Sequence, residues 1–132
     1  MTGEKKIASL LKSMSPKLLD GEYVFCTCKD AGYGDHSCLD PLASFREEEG
    51  LTLIVLKLHA DAHGIRYESV FRCITLTVHS SLEAVGLTAA ISSKLAERGI
   101  CANIVAAYFH DHIFVPAEAV EQAMDALGEL SR

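Results

Sequence analysis

The chain has 132 residues, about half of them apolar, with few glycines and prolines and a formal net charge of −6. Such a chain can bury a real core, as one domain or two small halves, and is not a disordered tail. The acidic balance argues against nucleic acid, whose phosphates need a basic surface, and against an anionic membrane face.

The strongest apolar run, residues 51–58, is interrupted by Thr52 and Lys57. It falls far short of the roughly 20 residues of a membrane-spanning helix. The first 14 residues are basic at the start but hold no long apolar stretch and no small-residue cleavage site, so no signal peptide is expected. Cys26, Cys28, Cys38, Cys73 and Cys101 form an odd set without framework spacing. Free thiols in a reducing cytoplasm are the expectation.

In chain order, Ile7, Leu10, Leu11 and Met14 recur at helical spacing and Ser15-Pro16 ends that helix. Residues 23–28 mix aromatic, β-branched and Cys side chains and read as a strand. Residues 29–39, with Gly32, Gly34, Asp30 and Asp35, read as a loop. Asp40-Pro41 has the chemistry of a helix start, so a short helix is expected up to Gly50, leaning on Leu42 and Phe45. Its end is poor, because Glu47, Glu48 and Glu49 meet the negative end of the helix dipole. Residues 51–57 read as a buried strand and 58–63 as a turn of helix stopped by Gly64.

The second half is clearer. Over residues 71–79, Ile74, Leu76 and Val78 alternate with Cys73, Thr75 and Thr77, as in a sheet covered by helices on one face. Leu87, Ala90, Ile91 and Leu95 mark a helix ending at Gly99. Residues 101–109 read as a strand, His110-Asp111 as a turn, and 112–115 as the returning strand. Pro116 opens a last helix with Val120, Ala123, Met124, Leu127 and Leu130 on one stripe. The order from residue 71 is one strand short of a βαββαβ unit. The expected donors of that strand are 23–28 and 51–57, or a second subunit.

The stretch from Glu83 to Pro116, with Gly86 at a strand-to-helix turn, Gly99 after the helix, Ile100 and Asn103 opening a strand and the hairpin DHIFVP, resembles the ACT-domain family, particularly its small stand-alone members. The segments GEYVFCTC and EEGLTLIV are similar to that group as well. The resemblance implies an α+β, ferredoxin-like ACT fold in two interlocked ACT-like halves, residues 1–65 and 66–132, with antiparallel sheets covered by helices on one face. It also implies side-by-side pairing of units, most simply as a homodimer, and binding of a free amino acid or related small metabolite near the unit interface. The positions it carries over are Glu83, Val85, Gly86, Leu87, Thr88, Asn103 and Ile104. The Asp-x-Pro-Gly turn of the best-known members is replaced here by Glu83-Ala84-Val85-Gly86.

The residues themselves give these positions a rationale. A helix N-terminus presents unpaired N–H groups and a positive dipole end, which suit a carboxylate. Glycine at the turn allows close approach, and Glu83 could receive an ammonium. Asn103 could fix either charged group or bond its own loop instead. Three polar clusters carry metal-ligating residue types but read as structural: His110, Asp111 and His112; His59, Asp61 and His63; Cys26, Cys28, His36 and Cys38. No nucleophile elbow, P-loop or dinucleotide fingerprint is present, and Ser80-Ser81 beside His79 is adjacency without triad geometry, so no catalysis and no cofactor are expected. The expectation is a non-catalytic sensing module. The alternatives are a ligand-free dimerisation module and a Cys/His metal-binding protein.

Overall fold

The computed structural model describes residues 3–77 and 86–132, with side chains from Ile7 onward. The elements are α1 (Gly3–Ser13), β1 (Pro16–Leu18), β2 (Tyr23–Cys28), a 3-10 turn (Ser37–Leu39), β3 (Ala43–Glu47), β4 (Gly50–Leu56), α2 (Lys57–Ala62), β5 (Phe71–Leu76), α3 (Leu87–Glu97), β6 (Asn103–Ala106), β7 (Asp111–Pro116), a second 3-10 turn (Ala117–Ala119) and α4 (Val120–Leu130). They form two compact units. One is split in sequence, Met1–Asp20 with Arg72–Arg132; the other is the continuous stretch Gly21–Phe71.

In the split unit the strand order is β1-β5-β7-β6. β1 runs antiparallel to β5, with Pro16 opposite Leu76 and Leu18 opposite Ile74. β6 runs antiparallel to β7, from Asn103 opposite Phe114 to Ala106 opposite Asp111. Read from β5 through α3, β6, β7 and α4 and closed by β1, this is a complete ferredoxin-like βαββαβ unit. The fourth strand therefore comes from the chain's own first 20 residues. This corrects the expectation that 23–28 and 51–57 supply it. Three residues around a proline carry too little alternation to announce a strand. The division at residue 65 groups α1 and β1 with the N-terminal half, whereas in packing they belong with residues 72–132.

The core of the split unit joins Ile74 and Leu76 of β5, Leu87, Ile91 and Leu95 of α3, Ile113 and Val115 of β7, and Ala123, Ala126 and Leu127 of α4, with Met14 after α1. α3 stops as its sequence directs. Gly99 takes φ +70, and Ile100 N–H reaches back to the Leu95 carbonyl at 2.9 Å, a glycine-led helix end.

The continuous unit keeps part of the plan, three strands and α2, with a 3-10 turn between β2 and β3. β4 lies between β3 and β2, with Val24 opposite Val55 and Phe45 opposite Thr52, and Tyr23 pairs with Phe71 at the unit's end. Its core is Val24, Cys26, Leu39, Leu51, Leu53, Val55 and Ala60.

The helix expected over 40–49 is instead the edge strand β3. Asp40 adopts a left-handed conformation at φ 48 and closes the 3-10 turn by donating to the Ser37 carbonyl. Leu42 N–H already bonds the Ile54 carbonyl at 2.8 Å. The acids that would have spoiled a helix end form the β3–β4 turn instead, and Ala43 and Phe45 alternate with Ser44 and Arg46 at the period of a strand. The β6–β7 turn also differs from expectation. It is formed by residues 107–110, with Ala107 N–H donating to the His110 carbonyl at 3.0 Å, and Asp111 already opens β7.

Candidate functional site

Gly86 is the residue before α3. Its φ of +101 is open to glycine and strained for any other residue. Its carbonyl accepts the first helical bond, from Ala90 N–H at 2.9 Å. No side chain caps the helix among the described residues, and its first turn carries no acid. The N–H groups of Leu87, Thr88 and Ala89 precede the first i to i−4 bond and have no partner inside the helix. Leu87 is turned into the core at 2% exposure, whereas Thr88 and Ala89 are exposed. A Cβ built on Gly86 would meet Ile7 Cγ1 at 3.3 Å, so α1 flanks this tip closely.

Asn103 opens β6, the outer strand of the split unit's sheet, and is exposed; Ile104 is half-buried and packs on the core. They follow the C-terminal end of α3, whereas Gly86, Leu87 and Thr88 stand at its N-terminal end. An 11-residue helix is about 16 Å long. One copy of the split unit therefore brings together Gly86, Leu87 and Thr88, and separately Asn103 and Ile104, as two groups apart. Glu83 and Val85, and the 79–86 loop short of Gly86, lie outside the described residues.

A second polar group on the sheet escaped the sequence reading. Thr75 Oγ1 and His112 Nδ1 share a hydrogen bond of 2.9 Å between β5 and β7. Thr75 is 7% exposed and Cys73 fully buried, so β5 is covered on both faces, where alternation had suggested one semi-polar side. Burial holds the His112 imidazole below its ordinary pKa, with His110 adding repulsion. Burial also raises the Asp111 carboxyl against the pull of the two imidazoles. The signal available in the sequence was position: His112 and Thr75 both sit one residue out of phase with the apolar stripe of their strand.

His59, Asp61 and His63 have other engagements. His59 Nδ1 meets the Leu39 carbonyl and His63 Nδ1 the His59 carbonyl, each at 3.0 Å. Asp61 binds Lys57 Nζ at 2.9 Å and accepts from Tyr67 OH at 2.7 Å. Cys26 is a core residue whose thiol is raised to about 11 by burial and by neighbouring Cys28; burial raises Cys73 to about 11 as well. Among the described residues no group of three His, Cys, Asp or Glu is arranged to hold a metal ion.

Two ACT-domain family models match the chain, one over residues 2–72 and the other over 68–129. A solved structure from Vibrio cholerae, described as a protein of unknown function and possible transport protein, is 52% identical over 99% of this chain and 100% of its own, with a TM-score of 0.90. A protein from Agobacterium tumefaciens shares the fold at 18% identity, covering 89% of each chain, with a TM-score of 0.74. So does the ligand-free regulatory subunit of aspartate kinase from Thermus thermophilus, at 13% identity over 89% of this chain and 95% of its own, with a TM-score of 0.62. None of the curated proteins matches.

Proposed function

The chain belongs to the ACT-domain family, whose members are regulatory, non-catalytic modules, and from that premise we propose that it senses a free amino acid or a close relative. The observation that carries this reading is the glycine-led tip of α3, which no side chain among the described residues caps. Its N–H groups and the positive helix end suit the ligand's carboxylate. Asn103 suits the other charged end, but stands at the far end of α3 in the same copy.

The two groups meet across a two-fold axis. When the β6 edges of two copies pair antiparallel, the start of one β6 lies beside the end of the other, and so on the side of the partner's α3 tip. The site is then complete only in a homodimer. Five free cysteines favour a reducing, cytoplasmic setting. No helix among the described residues is long and apolar enough to cross a membrane.

The test is a thermal-melt screen against the twenty amino acids. A ligand at about 100 times its Kd adds about 2.7 kcal/mol, and Asn103→Ala is expected to reduce that gain without changing the melt of the free protein. No shift with any amino acid at millimolar concentration overturns the reading. The approach of Ile7 to Gly86 favours a second reading, a dimerisation module without ligand, which predicts a dimer and no shift.

A further inference from the structure

Ile7 of α1 stands where the glycine at the α3 tip opens space. The Cβ direction of Gly86 meets Ile7 Cγ1 at 3.3 Å and Ile7 Cδ1 at 3.5 Å, whereas Leu10 makes no such approach. Glycine at a turn lets another group come close to the backbone. Here the chain's own first helix takes up that approach.

The hold on α1 is light. Its face toward the core is Ile7, Leu10 and Leu11, each half-buried, while Ala8, Ser9, Lys12 and Ser13 are exposed. Among the described residues no hydrogen bond or ion pair ties the helix to another element, and Ser13 Oγ donates to the Leu10 carbonyl within α1. The chain is pinned just beyond. Met14 is 3% exposed in the core, and the Ser15 carbonyl accepts from Thr77 N–H at 3.3 Å and Thr77 Oγ1 at 2.9 Å. An 11-residue helix is marginal in water without its packing face. α1 therefore leaves the core by unfolding, with Met14 and Ser15 as its fixed end.

We propose that α1 is a displaceable plug: Ile7 fills the α3 tip of the free chain, and a ligand carboxylate seated on that tip drives α1 off the core. The proposal rests on the sensing reading above and gives it an output, the unfolding of the first helix. A β-branched side chain in a helix keeps one χ1 rotamer, so Ile7 clears the tip only when the helix moves. Docking of α1 and occupation of the tip then exclude each other. Such coupling is reciprocal: a change that loosens α1 tightens ligand binding, because more of the chain is competent to bind.

Two measurements on the full chain test it, with each of the twenty amino acids at millimolar concentration as the probe. Affinities are read from the concentration dependence of the melting shift. Ile7→Ala is expected to bind the amino acid that shifts the wild type more tightly, by on the order of fivefold or more. Leu10→Ala, which weakens docking without touching the tip, is expected to act in the same direction. In the wild type, trypsin is expected to cut after Lys12 faster when that amino acid is present. A wild type that shifts while Ile7→Ala binds equally or more weakly, or a cut after Lys12 that the amino acid leaves unchanged or slows, overturns the plug and leaves the sensing reading standing. A shift in the loosened variants alone supports the plug. No shift in the wild type or in either variant overturns both.

Discussion

Gly86 and His112 each hold a conformation or charge state that their surroundings impose. At Gly86 the constraint is double: the positive φ disfavours any β-carbon, and Ile7 Cγ1 would stand 3.3 Å from one. Gly86→Ala is therefore expected to cost about 1–2 kcal/mol, the penalty of a left-handed residue, with little relief from Ile7, whose contacting atom is near its backbone. Urea denaturation measures it, and an unchanged midpoint would mean that the turn before α3 relaxes freely. His112 gives a pH dependence of definite sign. Burial lowers its pKa in the folded chain below the ordinary 6.5, so the unfolded chain binds the extra proton. Its contribution is neutral above about pH 6.5 and becomes destabilising as pH falls through that value toward the folded pKa. His112→Gln keeps an amide for Thr75 but cannot titrate. Denaturation midpoints taken from pH 8 to 5 are expected to fall more for the wild type than for the variant, the other histidines being common to both. Parallel curves would contradict the burial argument.

At the scale of elements, legibility followed the amount of burial. α3 was readable because Leu87, Ile91 and Leu95, each at most 2% exposed, keep helical spacing and Gly99 ends them. Removing one of these should be felt in full: Leu95→Ala is expected to cost about 2–5 kcal/mol, read as a lower urea midpoint with an unchanged slope. β3 was misread because an exposed strand has no apolar face to announce it, and Asp40-Pro41 carries the same local chemistry whether a helix or a turn follows. Its partner β4, buried at Leu51, Leu53, Ile54 and Val55, was legible from its apolar run. The candidate site divides the same way. Gly86 and Asn103 could be picked out by residue type, but the length of helix between them depends on topology, and the Thr75–His112 bond depends on strand order, which no local pattern encodes.

For the whole molecule, the decisive illegible feature was the route of the chain. The fourth strand of the split unit is Pro16–Leu18, far in sequence from the β5 residues it pairs with. The sequence order therefore hides an intact βαββαβ plan that closes only when Arg132 is imagined joined to the N-terminus. α4 packs against β1 in the same unit, so the closing strand and the last helix already meet. This leads to a permutation experiment. A chain running from residue 72 to 132, then a flexible Gly/Ser linker, then residues 3 to 20 carries every element of that unit in the order of a standard ferredoxin-like domain. A linker of about 12 residues has an r.m.s. reach of about 20 Å, and lengthening a flexible connection costs only logarithmically. The permuted chain is expected to melt cooperatively and to show dispersed amide resonances. Residues 72–132 alone, lacking β1 and with the β5 edge unpaired, are expected to show neither. Equal behaviour of the two would mean that β1 contributes little and that the unit is closed by something other than its own first strand.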